Sequence, residues 1–553
     1  MSAARLTQVR LRCFKSIGPE EQAVDLRPLT VMVGRNSSGK STVIQSLLLL
    51  KQTLEDPRPE VQLSLQGTYL RATSLRELTH GWPDDVRRDG PEITLRWTSS
   101  VNGRLLDRLI EKRSWLAETR LAWLVSDDML ARLQGGFEQT TEITLSMTEG
   151  DGIIVLPRLR SIWPGVPPLE TAMRADMDLG GAVLSWADGA GTSPLRMDHF
   201  LPYVPRASED WELLPEDVTL RFAFGVLYAE PLRTLEGLLT GLSFVGASRD
   251  EVPQYYAKPV GPPGRTVLPG GGNAPELLYS RQAERVHFAP PAGIGQGGEL
   301  SLSEHVTERT MKEAVQELLA HLGIDNRLSF QDVQAVNVFL LLFGRAPLNH
   351  IGRGVGHVLP VIVAGLLGDP LLGQRLGESP EMSRDEYLER CPTAPCLAYE
   401  ELESHLHPKA QSRLAEVMVA LARSGRQLLL ETHSDHLVRR LRNLMAHTEP
   451  GSASEQWLLE SVGLVEVDQG ADGVTRLTAG QLTREGSIER WPADFMDEAT
   501  DEERSIYFAG TAKSPPEPRA VRTGGREARN NGPEEERART ASAAPRGQAG
   551  SNP

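Results

Sequence analysis

The chain has 553 residues, 40% hydrophobic and 24% charged, which allows a sizeable core and excludes a wholly disordered polypeptide. Its 74 acidic and 59 basic side chains give a formal net charge of −15. That balance argues against a surface that coats nucleic acid, while leaving room for a local basic groove. Three cysteines (Cys13, Cys391 and Cys396) are too few for a disulfide framework and point to a reducing compartment, and the last two lack the second pair that a zinc site needs.

In chain order, the first residues, Met1–Thr7, lack the apolar run of a signal peptide. Residues 6–14 alternate apolar and polar side chains, as a half-buried strand does. Pro28–Val33 reads as a buried strand that runs into Gly34, and residues 41–52 as an apolar helix. Alternating runs at Glu142–Met147, Ile153–Leu156 and Val218–Phe222 predict strands, and Asp56–Glu60, Pro164–Pro168 and Gly261–Gly272 predict turns and loops. No repeat or heptad run is visible in residues 53–330, so no long coiled-coil arm is expected there. Ala335–Phe343 predicts a strand, Val355–Leu367 a helix opening after glycines, and Cys396–Tyr399 a short buried strand. Pro408–Arg423 predicts a helix with proline in its first turn and Gly425 just past its end, and Gln427–Leu430 another strand. The strand–helix–strand order implies a sheet flanked by helices. The longest apolar runs, Val43–Leu50 and Val358–Leu367, fall short of the about 20 residues that span a bilayer. A cytoplasmic protein with no membrane partner is therefore expected. From Lys513 onward hardly a large apolar residue occurs, which predicts a disordered tail.

Gly34-Arg35-Asn36-Ser37-Ser38-Gly39-Lys40-Ser41 matches G-x-x-x-x-G-K-[ST] at every specified position, and Thr42 follows. Glycines let backbone N–H groups wrap phosphates without Cβ clashes. Lys40 reaches the outer phosphates, the Ser41 hydroxyl ligates Mg²⁺, and the following helix points its positive end at the anion. The implied ligands are ATP and Mg²⁺.

Glu400 and Glu401 end the apolar run Leu397-Ala-Tyr. Carboxylates at a strand's carboxyl end can hold a metal through water and orient or deprotonate an attacking water. Glu400 is assigned to the metal and Glu401 to the general base; the alternative is a solvated strand end. His405 and His407 read as neutral histidines shaping the turn before Pro408, with metal ligation as the other reading. His433, after Gln427–Leu430, is the candidate sensor of the γ-phosphate, against the alternative of a hydrogen-bonded turn histidine. A Ser434/His433/Asp435 hydrolase triad is not expected, because sequence neighbours cannot form the relay and no G-x-S-x-G elbow occurs.

The ordered set Phe14–Ile17, Gly34–Thr42, Glu400–Pro408 and Glu431–Asp435 resembles the ABC-type ATPases of the SMC, recombination-repair and OLD (overcoming lysogenization defect) group. It is most similar to bacterial AAA-family ATPases that read E-E-P-E-x-H-L-H-P and E-T-H-S-E-H and carry a segment like Gly486–Met496, with its Trp491-Pro492 and Phe495. The matched pieces are residues 5–52 and 340–500; the middle matches loosely around Leu242–Glu251. The resemblance implies an α/β P-loop NTPase fold, an ABC-type head with a mixed sheet flanked by helices. Its parts would be residues 1–100, an inserted mixed region at 101–330, the second half of the head at 331–510, and the tail at 511–553. It further implies that two heads sandwich two ATP molecules, each site completed by a signature loop of the other head. Here that stretch is Gly352–His357, with Gly354 and Gly356 facing the phosphate. Relatives usually carry Ser and Gln where Gly356 and His357 stand, and a proline where Leu402 stands; these departures bear on turnover more than on binding. Gln66 is a candidate for the Mg²⁺-sensing glutamine of such ATPases, or an ordinary polar loop residue.

The implied activity is ATP binding and hydrolysis that drive a homodimeric clamp or switch on DNA, RNA or an effector protein, in DNA maintenance or phage defence. A nucleotide-gated, non-catalytic scaffold is the alternative, and an ATP-gated nuclease a further one.

Overall fold

The phosphate-loop strand, Leu29–Val33, is buried along its whole length, as its sequence, apolar but for Thr30, requires of a central parallel strand. The computed structural model describes residues 3–489 apart from 87–89, 102–103, 151, 179–180, 205–216, 263, 293–297, 299, 326 and 334–335. The expected tail, and Trp491, Pro492 and Phe495, lie outside the described residues.

Leu29–Val33 sits in a seven-stranded sheet of order Ser243–Val245, Cys396–Glu400, Gln427–Thr432, Leu29–Val33, Val462–Gln469, Thr475–Leu482, Ile488–Glu489. The first five run parallel and the last two are antiparallel additions. Register decides where the chemistry falls: Glu400 stands opposite Glu431, and Glu431 opposite Met32. Three parallel strands therefore end at one level, just where Gly34 begins the glycine-rich turn.

Two helices join this sheet as the sequence predicts. Pro408–Arg423 opens with proline in its first turn, and the His407 Nδ1 caps it by accepting from the Lys409 N–H (3.3 Å). Gly425 follows at φ 80°, a conformation that costs a residue with a Cβ about 1 kcal/mol or more. Arg353–Leu367 begins two residues earlier than expected and accommodates Pro360.

The inserted region brings a second layer. An eight-stranded antiparallel sheet runs Gln22–Asp25, Arg5–Arg12, Glu92–Val101, Phe137–Glu149, Ile153–Ile162, Met173–Asp178, Gly181–Trp186, Thr192–Pro194. It contains the strands expected at Glu142–Met147 and Ile153–Leu156, and it runs across the boundary drawn after residue 100. Val218–Phe222 is a correction: the segment opens a helix, Val218–Leu227, not a strand. The Asp217 carboxylate caps it through the Leu220 N–H (2.8 Å), and Leu220, Ala223, Phe224 and Leu227 bury one helical face. The apolar–polar alternation of Val-Thr-Leu-Arg-Phe is too short to tell the two periods apart.

The phosphate-loop helix, Lys40–Leu54, is buried over most of its length beneath these layers. It is anchored at its far end by Lys51, whose ammonium donates to the Thr240 carbonyl (2.7 Å) and to Glu55 (2.7 Å). Among the described residues no helix is long and apolar enough to cross a membrane.

Candidate functional site

Gly34 and Gly39 are glycines for steric reasons visible in the fold. A Cβ on Gly34 would lie 2.1 Å from the Val467 carbonyl oxygen, and one on Gly39, whose φ is 98°, would lie 2.3 Å from Thr475 Oγ1. The neighbouring antiparallel strand holds the turn in place: the Thr475 hydroxyl donates to the Ser38 carbonyl (2.7 Å), and the Thr475 N–H to the Ser16 carbonyl (2.8 Å). Gly39 caps the helix without a side chain, so the first helical N–H groups face the turn with no side-chain acceptor.

A cavity of about 520 Å³ opens at this point. Asn36, Ser37, Gly39, Lys40, Ser41 and Thr42 line it from the loop, Lys15, Ser16 and Gln45 from one flank, and Glu401, Glu431 and His433 from the strand ends. Lys40 is 3% exposed and donates to the Gly34 (3.0 Å) and Arg35 (2.6 Å) carbonyls. Burial lowers its pKa, and Glu431, Glu401 and Glu403 oppose that shift and favour the ammonium. The Ser41 hydroxyl beside Glu431 favours its ionised carboxylate.

Glu431 is the carboxylate that the motifs alone do not assign. Burial, with Glu400 beside it, pushes its pKa up to about 7 against the pull of Ser41 and Lys40, and its Oε2 is buried with no hydrogen-bond partner. A hydroxyl and an unsatisfied carboxylate beside a phosphate loop are hard oxygen donors, and they fit Mg²⁺. Magnesium takes one or two carboxylates plus phosphate oxygens rather than an all-protein cage. Among the described residues no group of three or more His, Cys, Asp or Glu is placed to hold a metal.

Glu401 turns the chain at φ 44°, a left-handed conformation that costs a non-glycine residue about 1–3 kcal/mol. Its N–H donates to the Glu431 carbonyl (3.0 Å), its carboxylate accepts from the Ser404 hydroxyl (3.2 Å), and its Oε1 lies 3.9 Å from His433 Nε2. Burial, and then Lys40, lower the His433 pKa, so the imidazole is neutral near pH 7. Glu403, 6% exposed, fixes the histidine turn by accepting from the Thr432 hydroxyl (2.7 Å) and the His433 N–H (2.8 Å).

Glu400 does not line the cavity. Its carboxylate accepts from the Ala247 N–H (3.3 Å), its carbonyl accepts from Arg249 (3.2 Å), and burial raises its pKa. Arg249 is a second residue the sequence does not single out. Burial lowers its pKa to about 10 while Glu400, Glu401 and Glu403 hold it charged. Gln66 donates to the Ala72 carbonyl (2.6 Å), away from the cavity that Gln45 lines.

Gly354 and Gly356 are not brought to the phosphate loop of their own chain: neither lines the cavity. They open the helix Arg353–Leu367, where a Cβ on Gly354 would meet the His405 carbonyl at 2.7 Å and one on Gly356 would meet Val252 at 2.6 Å. His357 packs on His405 with ring centroids 4.4 Å apart. The helix start thus leans on the turn that follows Glu403.

A glycine-rich turn between a buried parallel strand and a helix, faced by carboxylates from adjacent strand ends, defines a P-loop nucleoside-triphosphatase fold. Residues 386–439 match the family described as "AAA domain, putative AbiEii toxin, Type IV TA system", a span that holds Glu400, Glu401 and His433. Among solved structures, "Crystal structure of the SmcHead bound to the C-winged helix domain of ScpA" is similar at 11% identity and TM-score 0.36, covering 87% of this chain and 98% of that one. "SMC head domain from Thermotoga maritima" is similar at 11% identity and TM-score 0.31, covering 86% and 98%. An Smc head domain with an extended coiled coil, bound to the C-terminal domain of ScpA derived from Pyrococcus furiosus, is similar at 10% identity and TM-score 0.35, covering 91% and 100%. No curated protein matches the chain.

Proposed function

We propose that the chain binds ATP with magnesium at Gly34–Thr42 and hydrolyses it. The observation that carries this reading is the meeting of Lys40, Ser41, Glu401, Glu431 and His433 around one cavity at the carboxyl edge of a parallel sheet. Ser41 and Glu431 would ligate the metal; Glu400, assigned to it from the sequence, lies outside the cavity with its carboxylate on the Ala247 N–H. When bound, the ion neutralises charge on the outer phosphates. Lys40 leaves its two loop carbonyls for the β- and γ-phosphates, and the N–H groups after Gly39 receive the remaining oxygens. Glu401 is the general base that takes a proton from the attacking water. Neutral His433, held by Glu403, donates from Nε2 to the γ-phosphate.

A second copy would complete the site in a homodimer: Gly354 and Gly356 would cap the γ-phosphate of the opposite chain, so that ATP closes a clamp and its cleavage opens it. Nucleic acid or an effector protein is the client this cycle would act on. The helix start at Gly354–Gly356 offers no hydroxyl donor, which favours a nucleotide-gated scaffold as the second reading. Steady-state ATPase measurements separate the two. Turnover that disappears in Glu401→Gln supports the enzyme; turnover absent from the parent chain, with tight nucleotide binding, supports the scaffold. Stimulation by DNA at low salt would identify the client.

A further inference from the structure

A second cavity, of about 500 Å³, lies at the opposite edge of the same sheet. Pro28, Ala394, Gln427 and Ser461 line it, and each precedes or begins one of four parallel strands. The phosphate loop lies at the other end of those strands, about 17 Å away for a five-residue strand.

Four arginines face this cavity: Arg5, Arg384, Arg423 and Arg426. Arg423 is 2% exposed and Arg426 is 1% exposed. Arg423 donates through Nη2 to the Ser303 carbonyl (2.9 Å) and to Glu304 (3.0 Å), but its Nε and Nη1 are buried without an acceptor. Arg426 donates to the Gly365 (2.8 Å) and Ser424 (3.3 Å) carbonyls and is balanced by buried Asp369, yet its Nη2 has no acceptor. Arg384 Nε is likewise unsatisfied. Glu304 serves both Arg423 and, at 4.0 Å, Arg384. Arg5 has no side-chain partner among the described residues. Asp385 accepts from Arg384 Nη1 (3.3 Å), but it is exposed, as are Glu389 and Glu460, and water screens all three.

Buried guanidinium N–H groups are nearly always paired, and a structural arginine at a helix C-terminus would satisfy them. Here several are left over, on Arg384, Arg423 and Arg426, and with Arg5 these side chains come from three segments that converge on one cavity. An anion in the cavity would be met by the partly exposed Arg5 and Arg384, with the charges of Arg423 and Arg426 behind them, and guanidinium groups match phosphate and carboxylate in charge and geometry. We propose that this cavity is a binding site for a small oxyanionic ligand, a compound carrying a phosphate or carboxylate group, distinct from the nucleotide site. The cavity is large enough for a metabolite-sized molecule. Trp457 lines it beneath the Arg423 guanidinium (5.1 Å from the ring) and reports on its occupancy.

The test uses the full chain carrying Lys40→Ala, which silences the phosphate loop. Inorganic phosphate and citrate are titrated separately at constant ionic strength, with tryptophan emission and thermal midpoint as readouts. A saturable emission change and a rise in midpoint are expected. Trp457→Phe should remove the first and keep the second. Arg5→Ala and Arg384→Ala, at partly exposed positions, should each weaken binding at least about tenfold, the loss of one charge-assisted pair. Arg423→Met tests the buried position, and its own melting curve shows whether it folds. A response to phosphate alone assigns a phosphorylated ligand, and a response to citrate alone a carboxylate. No saturable response to either, or titrations unaltered by Arg5→Ala and Arg384→Ala (an adventitious ion only), overturns the proposal.

Discussion

Replacing Glu431 with glutamine should make the nucleotide-free protein more stable while weakening its grip on Mg·ATP. Burial and the neighbouring Glu400 lift the Glu431 pKa from 4.5 to about 7. The folded chain therefore keeps a proton that the unfolded chain has lost across the window from pH 4.5 to about 7, and stability falls as pH rises through it. Above that window the ionised carboxylate costs about 3 kcal/mol relative to its unfolded state, at about 1.4 kcal/mol per tenfold shift. Glutamine is nearly isosteric and carries no charge, so Glu431→Gln should recover most of that cost at about pH 8 and less than about 1 kcal/mol at about pH 5. Chemical denaturation of parent and variant at the two pH values measures the difference. Magnesium should narrow it in the parent, because a cation at Ser41 and Glu431 offsets the same buried charge. A variant no more stable than the parent at the higher pH, or equally stabilised at the lower, would refute the reasoning that Glu431 is a buried carboxylate awaiting a cation.

Glu401→Gln should lower ATP turnover by about a hundredfold or more while preserving binding, and dimers should accumulate with ATP on a sizing column. His433→Ala should lower turnover with little change in nucleotide affinity; an affinity loss as large as the loss in turnover would place the histidine in ground-state binding instead. Gly34→Ala sets a Cβ against the Val467 carbonyl and the Ser38 hydroxyl, 2.1 and 2.9 Å away. It should cost about 1–3 kcal/mol of stability and weaken ATP at least tenfold by titration.

The phosphate loop and its flanks are legible because local chemistry decides them. An apolar run forces Leu29–Val33 inside, and the glycine spacing of Gly34–Ser41 admits few other uses. The bounds of Pro408–Arg423 are equally local, set by proline at one end and Gly425 at the other. Val218–Phe222 misleads because five residues of alternation fit either period, and the decisive Asp217 cap and Leu227 lie outside them. The eight-stranded sheet is legible only in pieces, since the pairing of Arg5–Arg12 with Glu92–Val101 joins residues far apart in the chain. Glu431 and Arg249 escape for the same reason. Glu431 becomes a site residue only through the register that sets it between Glu400 and Met32, and Arg249 only because the strand before it, Ser243–Val245, pairs with Cys396–Glu400.

Binding of labelled ATP by equilibrium dialysis, with and without magnesium, for the parent chain and Lys40→Ala tests the central claim most directly. The parent should bind saturably and more tightly with magnesium, and Lys40→Ala, with an unchanged far-ultraviolet spectrum, at least about tenfold more weakly, the loss of one charge-assisted contact. Parent and variant binding ATP equally, or neither binding it at physiological magnesium, would contradict the account.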